Sequence, residues 1–137
     1  MQSLQDRLAL ILGEVLPAEE ESDGALTVRH DGTFASLRVV TIAEDLELVS
    51  LTQVLAWDLP LDKKLRDKVA EHAHNNLLGT VSVVEKMSQE AKGNSKKHAD
   101  VLLRYNFPGA GLTDEALRTL VLMVLSAGAD VRRTLLP

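Results

Sequence analysis

The chain has 137 residues, 45% of them hydrophobic and 26% charged, which is the size of one ordinary domain and excludes disorder throughout. Fifteen basic residues against twenty acidic ones leave a net charge of −5, which disfavours nucleic acid and anionic membrane as partners of the surface as a whole. Cysteine is absent, which excludes disulfide scaffolds, thiol nucleophiles, iron–sulfur centres and cysteine-based zinc sites.

Leu4, Leu8, Ile11, Leu12 and Val15 recur at helical spacing and predict a first helix from about Gln5 to Leu16, capped by Ser3 and ended by Pro17. The acidic segment from Ala18 to Gly24 reads as a solvated linker. Ala25–His30 and Thr33–Ile42 alternate apolar and polar residues around Asp31-Gly32, a pair that tolerates the positive φ angles of a two-residue hairpin turn. After the turn Ala43-Glu44-Asp45 comes a long strand, Leu46–Trp57, partly apolar on both sides and therefore expected at the centre of the sheet with helices on at least one face.

Pro60 is expected to open a second helix that runs to about Leu78 and stops at Gly79. Its apolar stripe is Leu61, Leu65, Val69, Ala73 and Leu77, and its opposite face is charged. Thr80–Met87 and Ala99–Phe107 then read as a hairpin across the polar loop Ser88–His98. A last helix begins after Thr113, with Asp114 and Glu115 in its first turn and Arg132 and Arg133 in its last, matching the helix dipole at both ends. Its run Leu120–Leu125 is apolar on every side, so this helix needs cover on more than one face, from the chain or from a second subunit. The expected fold is a single α+β domain over residues 1–137. It has an antiparallel five-stranded sheet and three helices, in the order α-β-β-β-α-β-β-α.

Chemistry-bearing motifs are sparse. Gly109-Ala110-Gly111 lies between a strand and a helix, but Asp114 stands where a dinucleotide fingerprint needs its third glycine, and no strand follows the helix. His72 and His74 lie about 200° apart on a helix and cannot share a metal from one face. His30 and His98 read as surface residues beside a turn and a loop. Glu44 and Asp45 form an acidic pair in a turn, with nothing near to raise a carboxylate pKa. Lys86, Lys92, Lys96 and Lys97 gather around the 88–98 loop, which lacks the stacking aromatics of a nucleic-acid platform. The residues therefore assign no catalytic, cofactor-binding or metal-binding position. No apolar stretch reaches membrane-spanning length and no export signal is visible, so the expectation is a cytoplasmic protein.

A resemblance narrows the class. The strand leading into Pro60, the helix end Asn75-Asn76-Leu77-Leu78-Gly79, and Val81-Ser82-Val83-Val84 resemble the bacterial YbjN family. So do Leu102-Leu103-Arg104-Tyr105-Asn106-Phe107-Pro108 and Gly111-Leu112-Thr113-Asp114-Glu115-Ala116-Leu117, so that the likeness spans roughly residues 46 to 125. That family is similar in fold to type III secretion chaperones, small acidic homodimers that bind extended segments of other proteins without catalytic residues. The resemblance therefore implies a homodimeric, non-enzymatic protein-binding module, chaperone-like or regulatory, with no active-site positions to carry over. The charge-rich second helix departs from a secretion chaperone. An alternative from a different class is a small-molecule binder or enzyme with a pocket between sheet and helices, lined by Trp57, Tyr105, Arg104 and Arg38. In that alternative Arg38 reads best as an edge arginine whose stem packs on the sheet.

Overall fold

Side chains alternate across a strand, so a strand buried at every second residue can hold a layer of helices on one side only. A computed structural model describes residues 3–87 and 97–136 of the chain, and its strands follow that rule. The elements are α1 (Leu4–Gly13), β1 (Ala18–Glu20), β2 (Leu26–His30), β3 (Thr33–Ala43), β4 (Leu46–Pro60), α2 (Lys63–Asn75), β5 (Thr80–Met87), β6 (Lys97–Pro108) and α3 (Asp114–Leu135). The strands form one antiparallel sheet in the order β1-β2-β3-β4-β6-β5.

The mixed α+β architecture, the three helices and the interior place of β4 agree with the sequence reading. The strand count does not: the sheet has six strands, because part of the acidic linker pairs with β2 through Ala18↔Val28, Glu19↔Thr27 and Glu20↔Leu26. Ladder hydrogen bonds use only the backbone, so a glutamate whose side chain points to water is no obstacle at an edge.

Several boundaries also move, each for a local reason. Ser3 caps α1 as expected, its side chain accepting from the Asp6 N–H, but the helix ends at Gly13 and Pro17 does not terminate it. The Val15 and Leu16 amides both turn back to the Leu12 carbonyl, and Pro17 then accepts from Arg29 as the chain enters β1. α2 starts at Lys63 because Asp62 is its cap, accepting from the Leu65 amide at 2.8 Å, while Pro60 stays in β4 opposite His98. It ends at Asn75, which leaves Leu77 89% exposed and outside the apolar stripe; only Leu65 and Val69 are buried along it. The Asp31-Gly32 hairpin forms as expected, with φ of 47° and 79°. The central loop 88–96, including Lys92 and Lys96, lies outside the described residues.

One core holds all three helices. Leu26 and Val28 of β2, Ala35 and Leu37 of β3, Val49, Leu51 and Leu55 of β4, Val101 and Leu103 of β6, and Val81 of β5 are buried. They pack in a single cluster with Leu8 and Leu12 of α1, Leu65 and Val69 of α2, and Leu117, Val121, Val124 and Leu125 of α3. The apolar run of α3 is thus used unequally: three of its residues are buried, while Met123 is 53% exposed. Cover for this helix comes from the sheet, α1 and α2 within the chain.

Gln53 is the one polar side chain at the centre of the helix-covered face of β4, and it is fully buried. Its amide nitrogen donates to Thr33 Oγ1 at 2.9 Å and to the Leu125 carbonyl at 3.0 Å, joining β4, β3 and α3. Gly128 lies directly above it: a Cβ at that position would sit 2.0 Å from Gln53 Oε1. Close approach of helix and sheet here requires glycine.

The loop before α3 is held from below by Arg7 of α1, whose guanidinium donates to the Ala110 and Leu112 carbonyls and to Asp114 Oδ1. This arginine occupies the polar side of the Gly109-Ala110-Gly111 turn. The turn is tight for its own reason, since a Cβ on Gly109 would meet Val49 Cγ2 at 2.8 Å.

Replacing glycine by alanine inside a helix normally stabilises it by about 0.5–1 kcal/mol. At Gly128 the sign should reverse. Gly128→Ala is expected to destabilise the fold by about 1–3 kcal/mol through overpacking on Gln53. Urea denaturation checks this as a lower midpoint at unchanged slope.

Candidate binding surface

With every helix on one side, the other face of the sheet has no layer over it among the described residues. The register places its residues in rows that run across the strands. The central row is Glu19, Thr27, Ser36, Thr52, Arg104 and Thr80, one residue from each strand and polar throughout. On one side of it stand Arg29, Phe34, Val54, Leu102 and Ser82, and on the other Arg38, Ser50 and Asn106 followed by Val40, Leu48 and Pro108. Phe34, Val40 and Val84 are exposed, so apolar groups flank a polar middle. The Arg104 side chain makes no hydrogen bond or ion pair among the described residues, whereas Arg38 is bound to Asp23 at 2.6 Å.

The two edges of the sheet differ. β1 is three residues long, exposed and largely acidic. β5 has eight residues and pairs on one side only, with β6. Alternation along β5 brings Val81 into the core and leaves Val84 exposed.

Near the end of β4 the ladder is interrupted twice, between Val54 and Ala56 and between Ala56 and Leu59. The second irregularity carries Asp58 at a φ of 57°, a left-handed conformation that aspartate tolerates better than most residues. Asp100 of β6 holds it in place, accepting from the Asp58 amide at 3.0 Å, while Lys86 of β5 bridges Asp58 and Asp100 at 2.7 and 2.8 Å. Burial alone would push the Asp100 carboxyl up. The hydrogen bond from Lys86, the Asp58 amide and the lysine charge outweigh it, and its pKa lies below the usual carboxylate range. Lys86 is displaced upward by its hydrogen bonds to Asp100 and Asp58.

Comparison with family models, curated proteins and solved structures found no match for this chain. Its surfaces are therefore read from their own geometry.

The residues named for an internal pocket do not converge. Arg104 and Tyr105 are neighbours on one strand and face opposite sides of the sheet; Tyr105 stacks on Phe107 with ring centres 5.3 Å apart. Trp57, which alternation puts on the face of Val49, Leu51 and Leu55, falls within the irregular stretch of β4. It lies 48% exposed beside Phe34, with the Arg132 guanidinium 5.5 Å from its ring centre. Arg104, Thr80, Ser82 and Asn106 line a shallow open groove of about 640 Å³.

Among the histidines, the His72 ring lies 2.7 Å from Thr134 Oγ1, tying α2 to the end of α3. No group of three or more metal-ligating side chains occurs among the described residues. Nor, among them, is any helix long and apolar enough to cross a membrane. Sequence reasoning missed Arg7 and Gln53. Gln53 was findable, since alternation puts it between Leu51 and Leu55 on the face those residues bury.

The Asp100 contribution has a definite pH dependence. A carboxylate with a lowered folded-state pKa stabilises above its unfolded pKa, and loses that contribution as pH falls through the folded value. Asp100→Asn should therefore be less stable than the parent at neutral pH. The gap should close as pH drops below the carboxylate range, as denaturant midpoints across a pH series would show.

Proposed function

We propose that the protein is a non-enzymatic, homodimeric protein-binding module, chaperone-like or a regulatory adaptor. It takes an extended segment of another protein along the outer edge of β5, and it acts in the cytoplasm. The observation that carries this reading is the asymmetry of the sheet edges. β1 is short and acidic, the usual way of discouraging strand addition, whereas β5 offers eight residues of backbone with no outer neighbour among the described residues. An incoming strand gains main-chain hydrogen bonds there, and its side chains meet Val84 on the open face and Val83 on the other. The YbjN-like segments cover this same region, from β4 through β5 and β6 to the start of α3, and the kinship they suggest fits the reading.

Several charged groups are engaged in holding the fold, which suits a binding role. Arg7 is paired with Asp114, Lys86 with Asp58 and Asp100, and Arg133 with Asp31 and Asp130.

A cytoplasmic extract passed over the immobilised chain should leave a bound protein, and a peptide from that protein should slow amide exchange within 80–87. Val84→Lys, which places a charge on the exposed edge strand, should weaken that complex roughly tenfold or more without moving the denaturation midpoint by more than about 0.5 kcal/mol. Slowed exchange elsewhere with none in β5 would refute the edge as the docking site. A chain that retains no protein, yet melts higher with a small molecule, would point to a ligand-binding protein instead.

A further inference from the structure

The homodimer proposed above needs a surface, and the uncovered sheet face has a pattern that selects one. Six strands about 4.8 Å apart and some nine residues of strand length give a face of roughly 24 Å by 30 Å, about 700 Å² per copy. Two such faces pressed together bury an area within the range of stable, specific interfaces, about 1,200–2,000 Å² in total. In the aligned class of sheet packing the strands stay within about 30° of one another, and in that class a second copy can lie on this face in two ways. The two-fold axis runs along the strands or across them.

Charge separates the two. The central row begins with Glu19 on the first strand of the sheet and carries Arg104 on the fifth. An axis across the strands sets each strand over its own copy, and at the central row, where overlap is fullest, Arg104 faces Arg104 and Glu19 faces Glu19. An axis along the strands reverses the strand order. Arg104 then lies over Thr27 and beside Glu19 of the other copy, and the same contact recurs on the far side of the axis. The reversal also brings Phe34 over Val54 and Val40 over Leu48, so that both apolar flanks find apolar partners. Arg38 comes near its own copy at the axis, but each Arg38 is already neutralised by Asp23 of its own chain. Among the described residues the Arg104 side chain has no hydrogen-bond or ion-pair partner within the chain, so its pairing costs no existing bond.

We infer that the open face of the sheet joins two copies of this chain about a two-fold axis parallel to the strands, between β3 and β4, with Glu19 of each copy meeting Arg104 of the other. The inference rests on the homodimeric reading and assigns it a surface. In this arrangement β5 lies over β1 of the other copy while its outer backbone edge stays free, so the two contacts use the face and the edge of that strand respectively.

Sedimentation equilibrium on the full chain tests it. The parent should be a dimer in the micromolar range, and Arg104→Glu and Glu19→Arg should each raise its dissociation constant roughly tenfold or more. Combining the two reversals should bring the constant back towards the parent value, a recovery that misfolding cannot produce. Val40→Lys, at an exposed position, should also favour the monomer while keeping the denaturation midpoint. A parent that is monomeric throughout that range overturns the inference. So does a dimer indifferent to all these changes, since its contact would then lie elsewhere. Exchange protection of β5 by a bound partner, measured on the Val40→Lys chain, separates the two ideas. Protection in a protein that never dimerises rejects only the sheet-face interface, whereas a charge-restored dimer without β5 protection rejects only the edge site.

Discussion

Contact between Gln53 and Gly128 is the constraint on which the layering depends. A fully buried amide stands in the middle of the sheet, and α3 comes down on it at the one place where the helix offers no side chain. The amide is not idle cargo: it bonds both β3, through Thr33, and the helix backbone at Leu125. An unpaired N–H donor at that depth would cost about 1–3 kcal/mol, so the Nε2 bonds favour this meeting of helix and sheet, while Gln53 Oε1 has no partner among the described residues. The Thr33 hydroxyl donates a hydrogen bond to the His30 carbonyl at 2.6 Å, which extends the link to the hairpin turn.

Once α3 is seated there, α1 and α2 have little choice of side. α1 reaches the entry of α3 through Arg7, and α2 reaches its end through Lys68 and His72 at Thr134. Both helices then bury their apolar residues in the same cluster as α3. All cover is consequently spent on one face, and the other remains a bare sheet of hydroxyls and arginines between two apolar margins. Function is best sought on that bare face and on the long free edge beside it, because these are the parts of the backbone and surface the fold itself leaves unsatisfied.

Much of this was legible from residue order, and the reason is local. Ser3, Thr113 and the Asp31-Gly32 turn act through bonds within three residues, so their roles survive in any context. The exceptions are instructive. Leu77 looked like core because it continues a helical stripe, but Asn76 ends the helix first and turns the leucine outward. Counting in twos from Val49 puts Trp57 on the face of Leu51 and Leu55, and the irregularities of β4 break that count. Glu19 and Glu20 looked like linker because their side chains are charged, although a strand edge is insensitive to that. The candidate surface was the least legible part. Thr27, Ser36, Thr52 and Arg104 are unremarkable one by one, and only cross-strand register aligns them.

By itself, then, the sequence determined the fold class, the order of helices and main strands, the caps and the hairpin, since each follows from short-range bonding or from a single apolar period. Tertiary structure alone decided that three helices share one side, that an acidic segment becomes a sixth strand, and that a buried glutamine sits beneath a glycine. These are pairings between residues many positions apart, such as Gln53 with Leu125 or Arg7 with Asp114. They depend on which surfaces meet after the elements have formed, and no local pattern encodes that.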